Sequence, residues 1–83
     1  MSGRPVKRSL TLKGHRTSVS LEDEFWFEFR RISEERHIPI NALAAEIDVT
    51  RVEDIGLASA IRLFVLEVIK SERDAHASTS NDQ

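Results

Sequence analysis

Apolar and polar residues alternate along two short runs near the start of the chain, residues 8–12 and 16–21. A period of two predicts β-strands with one face on a core and the other in solvent. In the second run the core-facing residues are Thr17, Val19 and Leu21, and the solvent-facing residues are Arg16, Ser18 and Ser20. Lys13-Gly14-His15 supplies a turn between the runs. Two arrangements stay open, a hairpin within one chain or an extended arm that leads into one strand. We favour the second run as the pairing strand, because it leads directly into a helix, and the first run can add an outer strand.

Three later segments have the spacing of amphipathic helices. The first is expected from Glu22 or Asp23 to near Arg36, with acids at the positive end of its dipole. The second follows Pro39, and the third spans residues 57–71 after a break at residues 53–56. The third has so wide an apolar surface that burial on more than one side, and hence a dimer, is expected. The expected dimer core consists of Val19, Leu21, Phe25, Trp26, Phe29, Ile32, Leu43, Ile47, Ile61, Phe64, Val65 and Val68.

The charge of the chain is divided unevenly. The net charge is -2, yet residues 1–20 contain five basic side chains and no acid. A local basic patch matters more for phosphate binding than the charge of the whole chain. We therefore expect residues 1–7 to form a flexible basic arm, residues 8–71 to form the domain, and residues 72–83 to form a disordered tail.

The order of these elements resembles the ribbon-helix-helix DNA-binding family of Arc and MetJ type. The resemblance rests on Arg16-Thr17-Ser18-Val19-Ser20-Leu21, an acidic helix start, an aromatic helix and a turn before Asn41-Ala42-Leu43. It is closest to a bacterial subgroup of short proteins. It implies a mostly α fold with a short N-terminal β-strand, an intertwined dimer, and here an extra C-terminal helix. In that family the strands of two chains pair antiparallel and enter the major groove of DNA.

The resemblance also assigns roles to residues of this chain. Arg16, Ser18 and Ser20 match the positions that contact bases, and Ile40 and Asn41 match a phosphate clamp at the start of the second helix. The family often has glycine and a small hydroxylated cap before that helix, whereas this chain has His37 and Pro39 there. Together with the basic N-terminal residues, the expected phosphate contacts are Arg4, Lys7, Arg8, Lys13, His15, Ile40 and Asn41.

These observations predict a homodimeric transcriptional regulator, a repressor in its simplest form, that binds double-stranded DNA in the bacterial cytoplasm, on the nucleoid. Whether dimers assemble further on DNA stays open. The rival hypothesis is a protein-interaction module, antitoxin-like or an adaptor, that uses the same dimer. The chain has no cysteine, and its histidines lack the spacing of metal ligands. Ser18 and Ser20 have no nearby base to activate them. We therefore expect no enzyme, no metal and no cofactor. No segment has the roughly 20 apolar residues that a membrane span needs.

Overall fold

The structure, a computed structural model, describes residues 3–81, with side chains described as far as residue 76. Two strands precede three helices. The elements are β1 (Val6–Leu12), β2 (His15–Leu21), α1 (Asp23–Glu35), α2 (Ile40–Thr50) and α3 (Leu57–Asn81). This is the expected fold class, mostly helical with a short N-terminal β-structure and an additional C-terminal helix.

The two strands form a hairpin within one chain, which is one of the two arrangements that the sequence left open, and residues 8–12 belong to its outer strand. β1 pairs antiparallel with β2 from Val6↔Leu21 to Leu12↔His15. The turn between them consists of Lys13 and Gly14, with φ of 52° and 81°. Positive φ at both central residues is typical of the tight turns whose twist matches that of the paired strands. The Lys-Gly pair therefore folds residues 6–12 back onto β2.

The core lies between the inner face of this hairpin and the three helices. Leu21, Phe29, Ile32, Leu43, Ile61 and Val65 are its largest fully buried side chains. Every residue of the expected dimer core is buried here or packs on the buried cluster inside a single chain. A single chain therefore brings together the residues expected in the dimer core. β1 contributes Leu10, and α3 covers the remaining side, so one chain encloses the cluster.

The turn after α1 has histidine where glycine is the usual residue. His37 has a φ of 56°, in the left-handed region. Its N–H donates to the carbonyl of Glu34 at 3.1 Å, and the N–H of Ile38 donates to the carbonyl of Ser33 at 3.0 Å. These two bonds define a Schellman motif, in which the left-handed residue is most often glycine. The Ser33 hydroxyl adds a third bond, to the Ile38 carbonyl at 2.7 Å.

We expect His37→Gly to raise the free energy of unfolding by about 0.5–1 kcal/mol, because glycine adopts this conformation without the Cβ penalty. Part of that gain is offset by the greater freedom of glycine in the unfolded chain. Thermal unfolding measures the difference. Glu34→Gly, in the last turn of α1, is the matched control and should lower stability by about 1 kcal/mol. Equal effects of the two glycines would contradict this account of the turn.

Both ends of the chain contain more regular structure than the sequence predicts. Val6 and Lys7, expected in a flexible arm, belong to β1, and α3 continues to Asn81 through residues expected to be disordered. Neither glycine nor proline interrupts residues 57–81, and Arg31 of α1 binds Glu72 at 3.2 Å. These two features explain why the helix does not stop near residue 71. Residues 1, 2, 82 and 83 lie outside the described residues.

Candidate nucleic-acid interface

The outer face of the hairpin carries six exposed polar side chains. Directly paired residues of an antiparallel hairpin lie on the same face, and three pairs point away from the helices. These pairs are Thr11↔Arg16, Ser9↔Ser18 and Lys7↔Ser20. Two of the six side chains are cationic, four are hydroxyls, and none is acidic. We call these six residues the outer face.

The outer face has side chains that suit contact with duplex DNA. Its three pairs span about 14 Å along the strands, at roughly 3.4 Å per residue. A two-stranded ribbon fits a major groove about 12 Å wide, where hydroxyl and guanidinium groups can bond base edges. The predicted base-contacting residues Arg16, Ser18 and Ser20 all lie on this face, at alternate positions of one strand.

Arg8 lies on the opposite, inner face and forms an ion pair with Asp23 at the start of α1. Its guanidinium carbon lies 5.4 Å from the centroid of the Trp26 ring. Its Nε is buried and has no hydrogen-bond partner among the described residues. The sequence assigned Arg8 to a DNA phosphate, but these contacts hold it between β1 and α1. The phosphate contacts proposed below therefore do not include it.

Within residues 3–81, no other strand pairs with the outward edge of β2. In a hairpin closed by a two-residue turn, Leu12↔His15 exchange hydrogen bonds, and so does every second pair after them. The backbone groups of Arg16, Ser18 and Ser20 therefore point outward, along the free edge. Arg62 of α3 lies beside this edge and donates to the Ser20 carbonyl at 3.1 Å.

Arg62 also fixes the junction between β2 and α1. Its Nε donates to Oε1 of Glu22 at 3.0 Å. This side-chain hydrogen bond is the main cause that lowers the pKa of Glu22, and a backbone hydrogen bond adds to it. The Glu22 carboxylate therefore stays charged, and the guanidinium stays beside the last residues of β2.

The free edge of β1 meets the start of α2. The Thr11 N–H donates to Oδ1 of Asn41 at 3.0 Å. The first helical hydrogen bond of α2 runs from the Leu43 N–H to the Pro39 carbonyl. The N–H groups of Ile40, Asn41 and Ala42 therefore have no partner within the helix. No side chain among the described residues caps this end. The expected phosphate clamp thus lies next to β1, with its Asn41 side chain turned toward the strand.

The other basic residues expected to contact phosphate lie at the ends of the hairpin strands. Lys13 occupies the hairpin turn, and His15 begins β2. Arg4 precedes β1, and all three side chains are exposed. The structure therefore gathers the predicted DNA-contacting residues, apart from Arg8, around the hairpin and the adjoining start of α2.

The comparison with protein families agrees with this arrangement. The sequence model of the ribbon-helix-helix domain matches residues 5–69. The chain belongs to the ribbon-helix-helix family. Proteins of this family are in general DNA-binding proteins of the regulatory type, and not enzymes. No curated protein and no solved structure matches the chain.

Two further observations concern other classes of function. Within residues 3–81, no helix is both long and apolar enough to cross a membrane. Among the described side chains, no group of three or more His, Cys, Asp or Glu is arranged to hold a metal ion.

Ser9 and Thr11 belong to the outer face, although neither was among the residues expected to contact DNA. The signal for them was present in the Lys13-Gly14 pair. A two-residue turn at these positions fixes the register, and the register places Ser9 opposite Ser18 and Thr11 opposite Arg16.

Proposed function

We propose that two copies of this ribbon-helix-helix protein bind a specific site in double-stranded DNA and regulate transcription from it, on the nucleoid of a bacterial cytoplasm. The observation that carries the proposal is the outer face, which is exposed, wholly polar and free of acids. Arg16, Ser18 and Ser20 read bases, and Arg16 is the most selective because a guanidinium can donate twice to guanine O6 and N7. Arg4, Lys7, Lys13, His15 and the start of α2 bind phosphates.

The free edge of β2 supports pairing with a second copy. If Ser18 pairs with the partner's Ser18 across a two-fold axis, Arg16 pairs with the partner's Ser20. The outward backbone groups of these residues then complete an antiparallel ladder, in which the Ser20 carbonyl accepts a second hydrogen bond beside that from Arg62. The same pairing brings the base-reading side chains of both chains onto one surface, as a two-fold symmetric ribbon.

The side of α3 that includes Arg62 also carries exposed apolar residues. Leu66 and Ile69 follow Arg62 by four and seven residues, so the three share one side of the helix. Leu66 is 49% exposed and Ile69 is 38% exposed in the single chain. Exposed apolar surface next to an unpaired strand edge favours association, because both features are costly in water.

We expect sedimentation at low micromolar concentration to show two chains per particle. Leu66→Glu should shift the particle toward one chain, because it places a carboxylate in the proposed interface. Val52→Glu is the matched control, since Val52 is 64% exposed in the loop before α3 and lines a groove with residues of α2 and α3. A folded single chain for the unsubstituted protein would contradict the dimer.

Affinity for duplex DNA should fall as salt rises, with a log–log slope near -0.9 for each phosphate contact. Lys13→Ala should make the slope less steep by about 1.8, because a dimer loses two contacts. Binding titrations between about 50 and 200 mM salt measure the slope. Lys70→Ala, an exposed lysine far along α3, should leave it unchanged. If the slope does not distinguish the two variants, Lys13 does not contact phosphate.

A further inference from the structure

We propose that β1 lies along the rim of the major groove and binds the DNA backbone through Lys7, Ser9 and Thr11. The inference rests on the proposed function, and it adds a phosphate-binding surface to it. It makes the DNA-facing sheet four strands wide, with each β2 at the centre and each β1 outside.

The width of such a sheet sets the position of β1. Neighbouring strands lie about 4.8 Å apart, so the two outer strands of a four-stranded sheet are separated by about 14 Å. The major groove is about 12 Å wide. The central strands can therefore enter the groove, while each β1 lies over one of the phosphate backbones that border it.

The contact between β1 and α2 also places β1 at the rim of the groove. Thr11 and Asn41 are joined by a hydrogen bond of 3.0 Å, so β1 lies between the base-reading strand and the start of α2. The free N–H groups at the start of α2 are expected to hold a phosphate. Because β1 lies between these groups and the β2 strand in the groove, β1 lies at the rim of the groove.

The side chains of β1 have the chemistry that this position requires. Lys7, Ser9 and Thr11 are exposed, and each is a donor to phosphate oxygens. They alternate with Arg8 and Leu10, which turn inward. Donors at every second residue along about 14 Å match a backbone that carries repeated anionic oxygens.

A gain of charge tests the proposal directly. Ser9→Lys should tighten binding to every duplex and steepen the log–log salt slope by about 1.8, one added contact in each subunit. Ser71→Lys adds the same charge on α3, near the far end of α1, and should leave the slope close to that of the unsubstituted protein. Equal slopes for the two lysine variants would overturn the proposal.

A loss of hydroxyls separates rim contacts from base contacts. Ser9→Ala combined with Thr11→Val, which keeps the β-branched shape, should weaken preferred and random duplexes alike, by up to about tenfold. A loss confined to the preferred duplex would mean that β1 reads bases, and it would overturn the rim position. Thermal unfolding should confirm that the domain remains folded.

Different results would refute DNA binding by the dimer and phosphate binding by β1. If the unsubstituted protein does not bind duplex DNA, the proposed function fails and this inference fails with it. If it binds, and Arg16→Ala loses preference for the selected site while Ser9→Lys has no effect, only the rim contacts are refuted.

Discussion

Phe29→Ala should remove most of the stability of this domain. Phe29 is completely buried and meets the Phe64 ring edge-on, with 6.2 Å between the ring centroids. Truncation of a buried phenylalanine to alanine costs about 3–5 kcal/mol, from lost transfer free energy and the cavity that remains. A domain of this size lies near the low end of the usual range of total stability, at about 5 kcal/mol, so the variant should be partly unfolded at 37 °C.

The matched control lies two residues away in the same helix. Phe27 is 59% exposed, and Phe27→Ala removes the same atoms from the opposite side of α1. We expect it to change the free energy of unfolding by less than about 0.5 kcal/mol. Denaturant titrations of both variants measure the difference. If both lose equal stability, α1 does not pack on the core through Phe29.

Arg16→Ala should cost about 1–3 kcal/mol of binding free energy on a preferred duplex, and less on random DNA. The side chain is exposed on the outer face, so the variant should unfold at the same temperature as the unsubstituted protein. A selective loss is the signature of a base contact, whereas a lost phosphate contact weakens all duplexes equally.

Arg30→Ala supplies the control, because Arg30 is an exposed arginine on α1, on the same surface of that helix as Phe27 and Glu34. It should leave both affinities unchanged. If Arg16→Ala also leaves both unchanged, the ribbon does not read bases. The hypothesis of a protein-interaction module that uses the same dimer would then replace DNA reading.

The helices and the faces of the strands could be predicted from the sequence, because each depends on local spacing. The sequence gives acids at the start of α1, a proline before Ile40 and apolar residues at helical intervals, and the observed bounds of α1 and α2 agree with them. The alternation of Val19 and Leu21 with Ser18 and Ser20 likewise predicts the inner and outer faces of β2.

The sequence does not predict which segments pack against these faces, because that depends on contacts between residues far apart in the chain. Arg8 is one of five basic residues in the N-terminal 20, and only the register of β1 shows that it points toward Trp26 and Asp23. The register of β1 likewise places Leu10 in the core, where it is buried. The length of α3 depends partly on the pairing of Arg31 with Glu72, which are 41 residues apart.

A selection from random duplexes, with sequencing of the bound fraction, shows whether a dimer reads DNA through paired β2 strands. The two-fold axis of a dimeric ribbon should be reflected in the DNA, because symmetric dimers bind symmetric half-sites. We expect enrichment of one inverted repeat, with a guanine in each half-site that is no longer selected by Arg16→Ala. No enrichment, or an enriched sequence without two-fold symmetry, would contradict a dimer that reads DNA through paired β2 strands.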